Sequence, residues 1–161
     1  QETERFGAAL KQMRDLGMAA GFAAHNAEPH EWIRDHLNPD FQLCCYYDPS
    51  ARSESPHHVV TDDEKFDPAH RDRMARTICT LKSSAVHYKV LAAGRTPAEE
   101  AFQYVAKVIR PKDVVLVVAH SNTIPAILKA FGGPAVTVGD NDYDGLFLVV
   151  PATGVVSKIR Y

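Results

Sequence analysis

The sequence predicts an α/β fold: a mixed, mostly parallel sheet with helices on both faces. Two observations predict it. Helical and strand-like apolar periodicities alternate from residue 67 to the end of the chain. The segment Val114–Ala119 is apolar on both of its faces, as strands buried in parallel sheets are. The chain has 161 residues, 45% hydrophobic and 24% charged, which excludes disordered and collagen-like classes. One domain over residues 1–161 is expected, with 1–66 divergent and loop-rich and 67–161 regular.

Taken in order, residues 3–16 read as a helix with Phe6, Leu10 and Met13 on one face and Gly17 as its stop. Phe41 to Tyr47 reads as a strand. Pro-, His- and Ser-rich stretches around it, such as Ser53-Glu54-Ser55-Pro56-His57-His58, read as long loops. Asp67-Pro68 opens a helix reaching about Lys82, and Val86 to Val90 alternates as a strand. Thr96-Pro97-Ala98-Glu99 predicts a helix start with a capping box. Its apolar face is Ala98, Ala101, Phe102, Val105, Val108 and Ile109, and Arg110-Pro111 stops it. After Val114–Ala119, a helix is predicted from Ile124 to Phe131, with Pro125 in its first turn and Gly132-Gly133 beyond its end. Leu146–Val150 and 155–161 then flank Pro151-Ala152-Thr153-Gly154 as an antiparallel hairpin at the end of the sheet.

Several functions are disfavoured by composition. Eighteen Lys and Arg against twenty Asp and Glu leave a net charge of −2, which removes the electrostatic case for a nucleic-acid partner. The longest unbroken apolar run is the six residues of Val114–Ala119, against about 20 for a spanning helix, so no membrane partner is expected. No signal peptide opens the chain, and Gln1 without a preceding methionine reads as a trimmed start. Cys44, Cys45 and Cys79 read as small buried hydrophobes rather than a disulfide framework. His30, His36, His57, His58, His70 and His87 lack zinc-ligand spacing and read as scattered, solvated side chains, so no metal is expected. Asp140, Asp142 and Asp144 alternate like a calcium loop but lack its glycine and terminal glutamate, and read as a polar turn.

The chemistry concentrates at Ala119-His120-Ser121-Asn122-Thr123-Ile124-Pro125. These residues follow the carboxyl end of a strand and open a helix, the place where open α/β sheets put their ligands. Helix-start N–H groups favour an anion. Ser121, Asn122 and Thr123 can cap the helix or donate to that anion, and His120 can donate to it or move a proton. The plainer alternative is a helix cap beside a structural histidine.

The run "VVLVVAHSNTIPAI" (Val114 to Ile127), followed by Gly132-Gly133-Pro134 and by the stretch from Asp140 to Val149, resembles the carboxyl-terminal part of the histidine phosphatase superfamily. Its fold is phosphoglycerate-mutase-like and three-layered. Ala119 stands where the family has Gly, and the terminal "KIRY" resembles the family's last strand. Arg76-Thr77-Ile78-Cys79-Thr80-Leu81 resembles a family helix start whose arginine lines the phosphate pocket; Cys79 and Leu81 depart from that pattern.

The resemblance implies hydrolysis of a phosphomonoester through a phosphohistidine, without metal or other cofactor. The partner it implies is a small phosphorylated substrate or inorganic phosphate. His120 takes the part of the family's second histidine, with Arg76, Ser121 and Asn122 holding the phosphoryl group. The family's nucleophile lies in an Arg-His dipeptide, which this sequence lacks. One alignment sets His25, in Ala24-His25-Asn26-Ala27-Glu28, against it. The preferred alignment makes residues 18–24 the second strand, leaves His25 without a catalytic role and puts the nucleophile before Gln1. A sheet without the family's central first strand needs a substitute, and Phe41–Tyr47 is the other apolar run in this half. The alternative function is a catalytically silent, phosphate-binding regulatory module.

Overall fold

The computed structural model describes residues 1–48, 66–139, 141–142, 145–150, 153 and 155–160. It is an α/β protein that divides into two compact units, Gln1–Val117 and Val118–Tyr161. The loop expected around residues 53–58, and Asp140 and Asp144 of the acidic turn, lie outside the described residues.

The amino-terminal unit opens with α1 (Glu2–Asp15), followed by β1 (Gly21–Ala24), α2 (Ala27–His36) and β2 (Phe41–Cys45). Then come α3 (Pro68–Thr80), β3 (Ser84–Tyr88), α4 (Ala98–Val108) and the short β4 (Val114–Val115). The strands form a fully parallel sheet in the order β1-β2-β3-β4. Phe41–Cys45 therefore lies inside the sheet, paired with Gly21–Ala24 on one side and Ser84–Tyr88 on the other. The apolar run that the sequence offers as a substitute central strand is in a central position.

Local chemistry explains the element ends. Asp67 caps α3 by accepting from the Ala69 N–H at 2.8 Å, with Pro68 in the first turn. Such a cap satisfies one of the donors a helix start leaves open. The capping box expected at Thr96 and Glu99 is not formed: α4 starts after Pro97, and no side chain caps it. The Thr96 N–H instead donates to the Leu91 carbonyl at 3.3 Å. That bond folds Thr96 back into the preceding loop, where Lys89, Ala92 and Ala93 all have positive φ. At Gly21, an added Cβ would come within 2.4 Å of the Phe41 carbonyl and 2.6 Å of its ring, so only glycine lets β1 approach β2 here.

One face of the sheet carries the core. Gln42 pairs in register with Ala85, and Cys44 with His87, and all four are buried. Right-handed crossovers between strands taken in spatial order put their helices on the same side, and the contacts agree. His30 of α2 bonds Gln42, α2 packs on α3, and Arg71 of α3 stacks on Tyr104 of α4. Met74 and Ile78 of α3, Val105 of α4 and Ala27 of α2 join Cys44, Tyr46 and Ala85 in one cluster. The other face is only half-buried at Phe41, Leu43, Val86 and Tyr88. At the edge of this unit, α1 sets Phe6 edge-on to Phe22 and Trp32, with centroids 5.6 and 6.1 Å apart.

Val114–Ala119 departs from its expectation. Only Val114 and Val115 are strand. Val115 and Val117 pack on the core, whereas Val114, Leu116 and Val118 are exposed, Val118 by 88%. Among the described strands β4 lies at the edge of the sheet with one covered face, and a run of like residues cannot reveal that asymmetry.

The carboxyl-terminal unit holds α5 (Ile124–Ala130) and a hairpin of β5 (Gly145–Val150) and β6 (Val155–Arg160). The hairpin is antiparallel, as predicted, but among the described residues it forms its own two-stranded sheet instead of extending the parallel one. Gly132 ends α5 at a φ of +78°, with Gly133 N–H donating to the Leu128 carbonyl at 3.0 Å. This is the left-handed helix stop that glycine favours. The ribbon side bearing Val156 abuts Gly133, and the opposite side exposes Leu146, Leu148, Val150, Val155 and Ile159.

Candidate functional site

His120, Ser121 and Asn122 lie together in the turn that opens α5. Its organiser is Thr123. The Thr123 hydroxyl accepts the His120 N–H at 3.1 Å and donates to the His120 carbonyl at 3.0 Å. The amides of Thr123 and Ile124 donate to the same carbonyl at 2.9 and 3.1 Å. The loop is thus pinned at its first residue by its fourth. Thr123 occupies the cap position, yet its side chain makes no capping bond into the helix. His120 and Asn122 are exposed and Ser121 is half-buried. Among the described residues, the His120 imidazole and the Asn122 amide have no hydrogen-bond or ion-pair partner. An unengaged imidazole on a pinned turn can accept or donate a proton or bind an oxyanion.

Arg76 belongs to the other unit. It lies on the exposed side of α3, about 12 Å along the axis from Pro68 at 1.5 Å per residue. α3 ends just before β3 enters the sheet, so Arg76 sits towards the sheet's amino edge. It lines a groove with Asp72, Ala75, Cys79, Tyr104 and Val108. The guanidinium has no hydrogen-bond or ion-pair partner among the described residues.

At the carboxyl ends of the strands, where ligands of open α/β sheets bind, the amino-terminal unit collects His25, which one alignment set against the family's nucleophile, and several residues to which the sequence assigned no role in the site. His25 is exposed in the turn after β1. Asp48, after β2, is 3.6 Å from His70 Nε2. Arg71 lies with its guanidinium carbon 3.9 Å from the Tyr104 ring centre. Lys89, after β3, has a φ of +58°. The signal was present in Asp67-Pro68: a helix starting there puts His70 and Arg71 in its first turn.

Two histidines expected to be solvated are fully buried, each held by partners distant in sequence. His30 Nδ1 is 2.8 Å from Gln42 Oε1, and its Nε2 is 3.3 Å from the Ala24 carbonyl. His87 Nδ1 is 2.8 Å from the Tyr46 hydroxyl, and its Nε2 is 3.4 Å from Asp113 Oδ2. With the proton assigned to Nε2, His87 accepts from Tyr46 and donates to Asp113. Asp113 also accepts the Ala85 N–H at 2.8 Å and the Arg110 guanidinium at 2.8 Å on each oxygen. Burial pushes the Asp113 carboxyl up, but the Arg110 and amide bonds outweigh it and hold the group at about 2. Burial lowers His87 more than Asp113 raises it, so the imidazole is neutral. These groups are core structure closed to ligands.

Cys44 and Cys45 are buried as expected, and burial pushes the Cys44 thiol up to about 12. Cys79 is exposed, contrary to expectation, because it falls on the outer side of α3. Among the described residues no three His, Cys, Asp or Glu side chains are grouped to hold a metal, and no helix is long and apolar enough to cross a membrane. No family model, curated protein or solved structure matches the chain.

Proposed function

We propose that the protein hydrolyses a phosphomonoester in the manner of the histidine phosphatases, which its carboxyl-terminal half resembles. The observation carrying the proposal is the His120 turn: an exposed imidazole without a partner among the described residues, on a loop pinned by Thr123, beside Ser121 and Asn122. His120 stabilises the transferring phosphoryl group, and Ser121 and Asn122 donate to its oxygens. Arg76, which the resemblance set beside them, belongs to the amino-terminal unit and has no part in this proposal. A histidine attacks phosphorus as the ester P–O bond breaks, and the departing alkoxide takes a proton from an acid or from water. A water molecule then cleaves the phosphohistidine to release inorganic phosphate. The three-layer, phosphoglycerate-mutase-like arrangement is part of the same proposal.

Metal-free hydrolysis of an aryl phosphate by the wild type and by His120→Ala tests this reading. Turnover that the substitution abolishes supports it. The lack of an Arg-His dipeptide favours a second reading, a silent phosphate-binding module. That module would show no turnover, but phosphate would raise its melting temperature and His120→Ala would remove the rise. If neither turnover nor phosphate-dependent stabilisation is observed, both readings fall.

A further inference from the structure

We infer that the groove between α3 and α4 binds a small organic oxyanion with a planar apolar body, its anionic group seated on Arg76. The inference goes beyond the reading above and is independent of it. It rests on Arg76 as an oxyanion ligand and uses no residue of the His120 turn.

The groove is a shallow hollow of about 270 Å³, open to solvent, lined by Asp72, Ala75, Arg76 and Cys79 of α3 and by Tyr104 and Val108 of α4. A hollow of that size has room for one ring laid against its wall, with the ring's other face in solvent. Its charge balance is specific. Asp72 is already engaged: it accepts the Tyr104 hydroxyl at 2.8 Å and lies 3.5 Å from Arg71 Nε. Arg71 in turn stacks on the Tyr104 ring, which holds that ring in place. Arg76 is left as the one lining cation, unpaired among the described residues.

Ala75, Val108 and Tyr104 line the same groove and supply its apolar wall. An inorganic anion would meet only the exposed guanidinium, where solvent and salt weaken the attraction. An anion carrying an aromatic body gains in addition from the apolar area it covers. The pairing of free cation and apolar wall therefore selects organic oxyanions over inorganic ones.

Cys79 lines the same groove and is the exposed thiol, whereas Cys44 and Cys45 are buried. Its alkylation by iodoacetamide, followed site by site by mass spectrometry, reports occupancy. Phenylphosphonate, which has no ester to hydrolyse, or benzoate at millimolar concentration should slow Cys79 alkylation several-fold, and inorganic phosphate should not. Arg76→Gln should abolish the protection, and so should Val108→Glu, which puts a carboxylate against the apolar wall. Cys44 and Cys45 should stay unmodified in every variant, which shows that the fold is intact.

The inference is overturned by absence of protection, by equal protection from inorganic phosphate, or by protection that survives Arg76→Gln in a folded variant. His120→Ala should leave the protection unchanged. Failure of the groove is thereby distinguished from failure of the hydrolytic reading.

Discussion

The amino-terminal unit buries whole side chains, such as Ile78, Met74 and Tyr46, under a four-stranded sheet, and buries His30 and His87 with their hydrogen-bond partners. The carboxyl-terminal unit is a seven-residue helix and a ribbon whose outer side leaves five aliphatic residues about half exposed. Leu128 is its one buried hydrophobic residue among those described. The difference separates two tasks. Cohesion of the chain resides in the first unit. The unengaged imidazole of His120 lies in the second, on a surface where little core packing constrains what the turn can carry.

The sharpest break of this comparison is Asp113→Ala. The substitution strands Arg110, the Ala85 amide and buried His87, so a loss of about 3–5 kcal/mol is expected, readable as a lower urea midpoint. Next comes a matched pair of truncations. Ile78→Ala in the closed core should cost about 2–5 kcal/mol, whereas Leu148→Ala on the open ribbon should cost about 0.5 kcal/mol. Similar costs for the two would erase the contrast between the units.

A smaller effect concerns pH. Burial holds His87 below its ordinary value of 6.5. The unfolded chain takes up a proton there that the folded state refuses, so stability is full above about pH 6.5 and declines as pH falls below it. Asp113, held at about 2, adds a further loss as pH drops from 3.8 towards that value. Urea unfolding of His87→Gln should show a flatter dependence between about pH 7 and 5 than the wild type. The least effect on stability belongs to His120→Ala, within about 0.5 kcal/mol because the side chain is exposed. That variant should nevertheless lose hydrolysis or phosphate-dependent stabilisation.

Most regular elements were legible in the residues. Asp67-Pro68, Gly132-Gly133 and the alternation of Val86–Tyr88 are local signals, and local geometry obeys them. What escaped depends on distant partners. His30 and His87 are buried because Gln42, Tyr46 and Asp113 reach them across the fold, and no spacing along the chain announces such meetings. Val114–Ala119 misled because an edge strand and a central strand can share one composition; only the neighbour's presence tells them apart. The Thr96 box failed because the Leu91 carbonyl competed for its backbone. Within the candidate site, His120, Ser121 and Asn122 share a turn because they are contiguous. Arg76 had to be placed by the length of α3, which took it to the groove with Tyr104.

The order β1-β2-β3-β4 in space repeats the order of synthesis. As this region emerges from a ribosome, each new strand finds its template already laid down, and no earlier strand must wait for a later one to be inserted beside it. Assembly can proceed by accretion, one strand and one helix at a time, with each intermediate presenting a single growing edge.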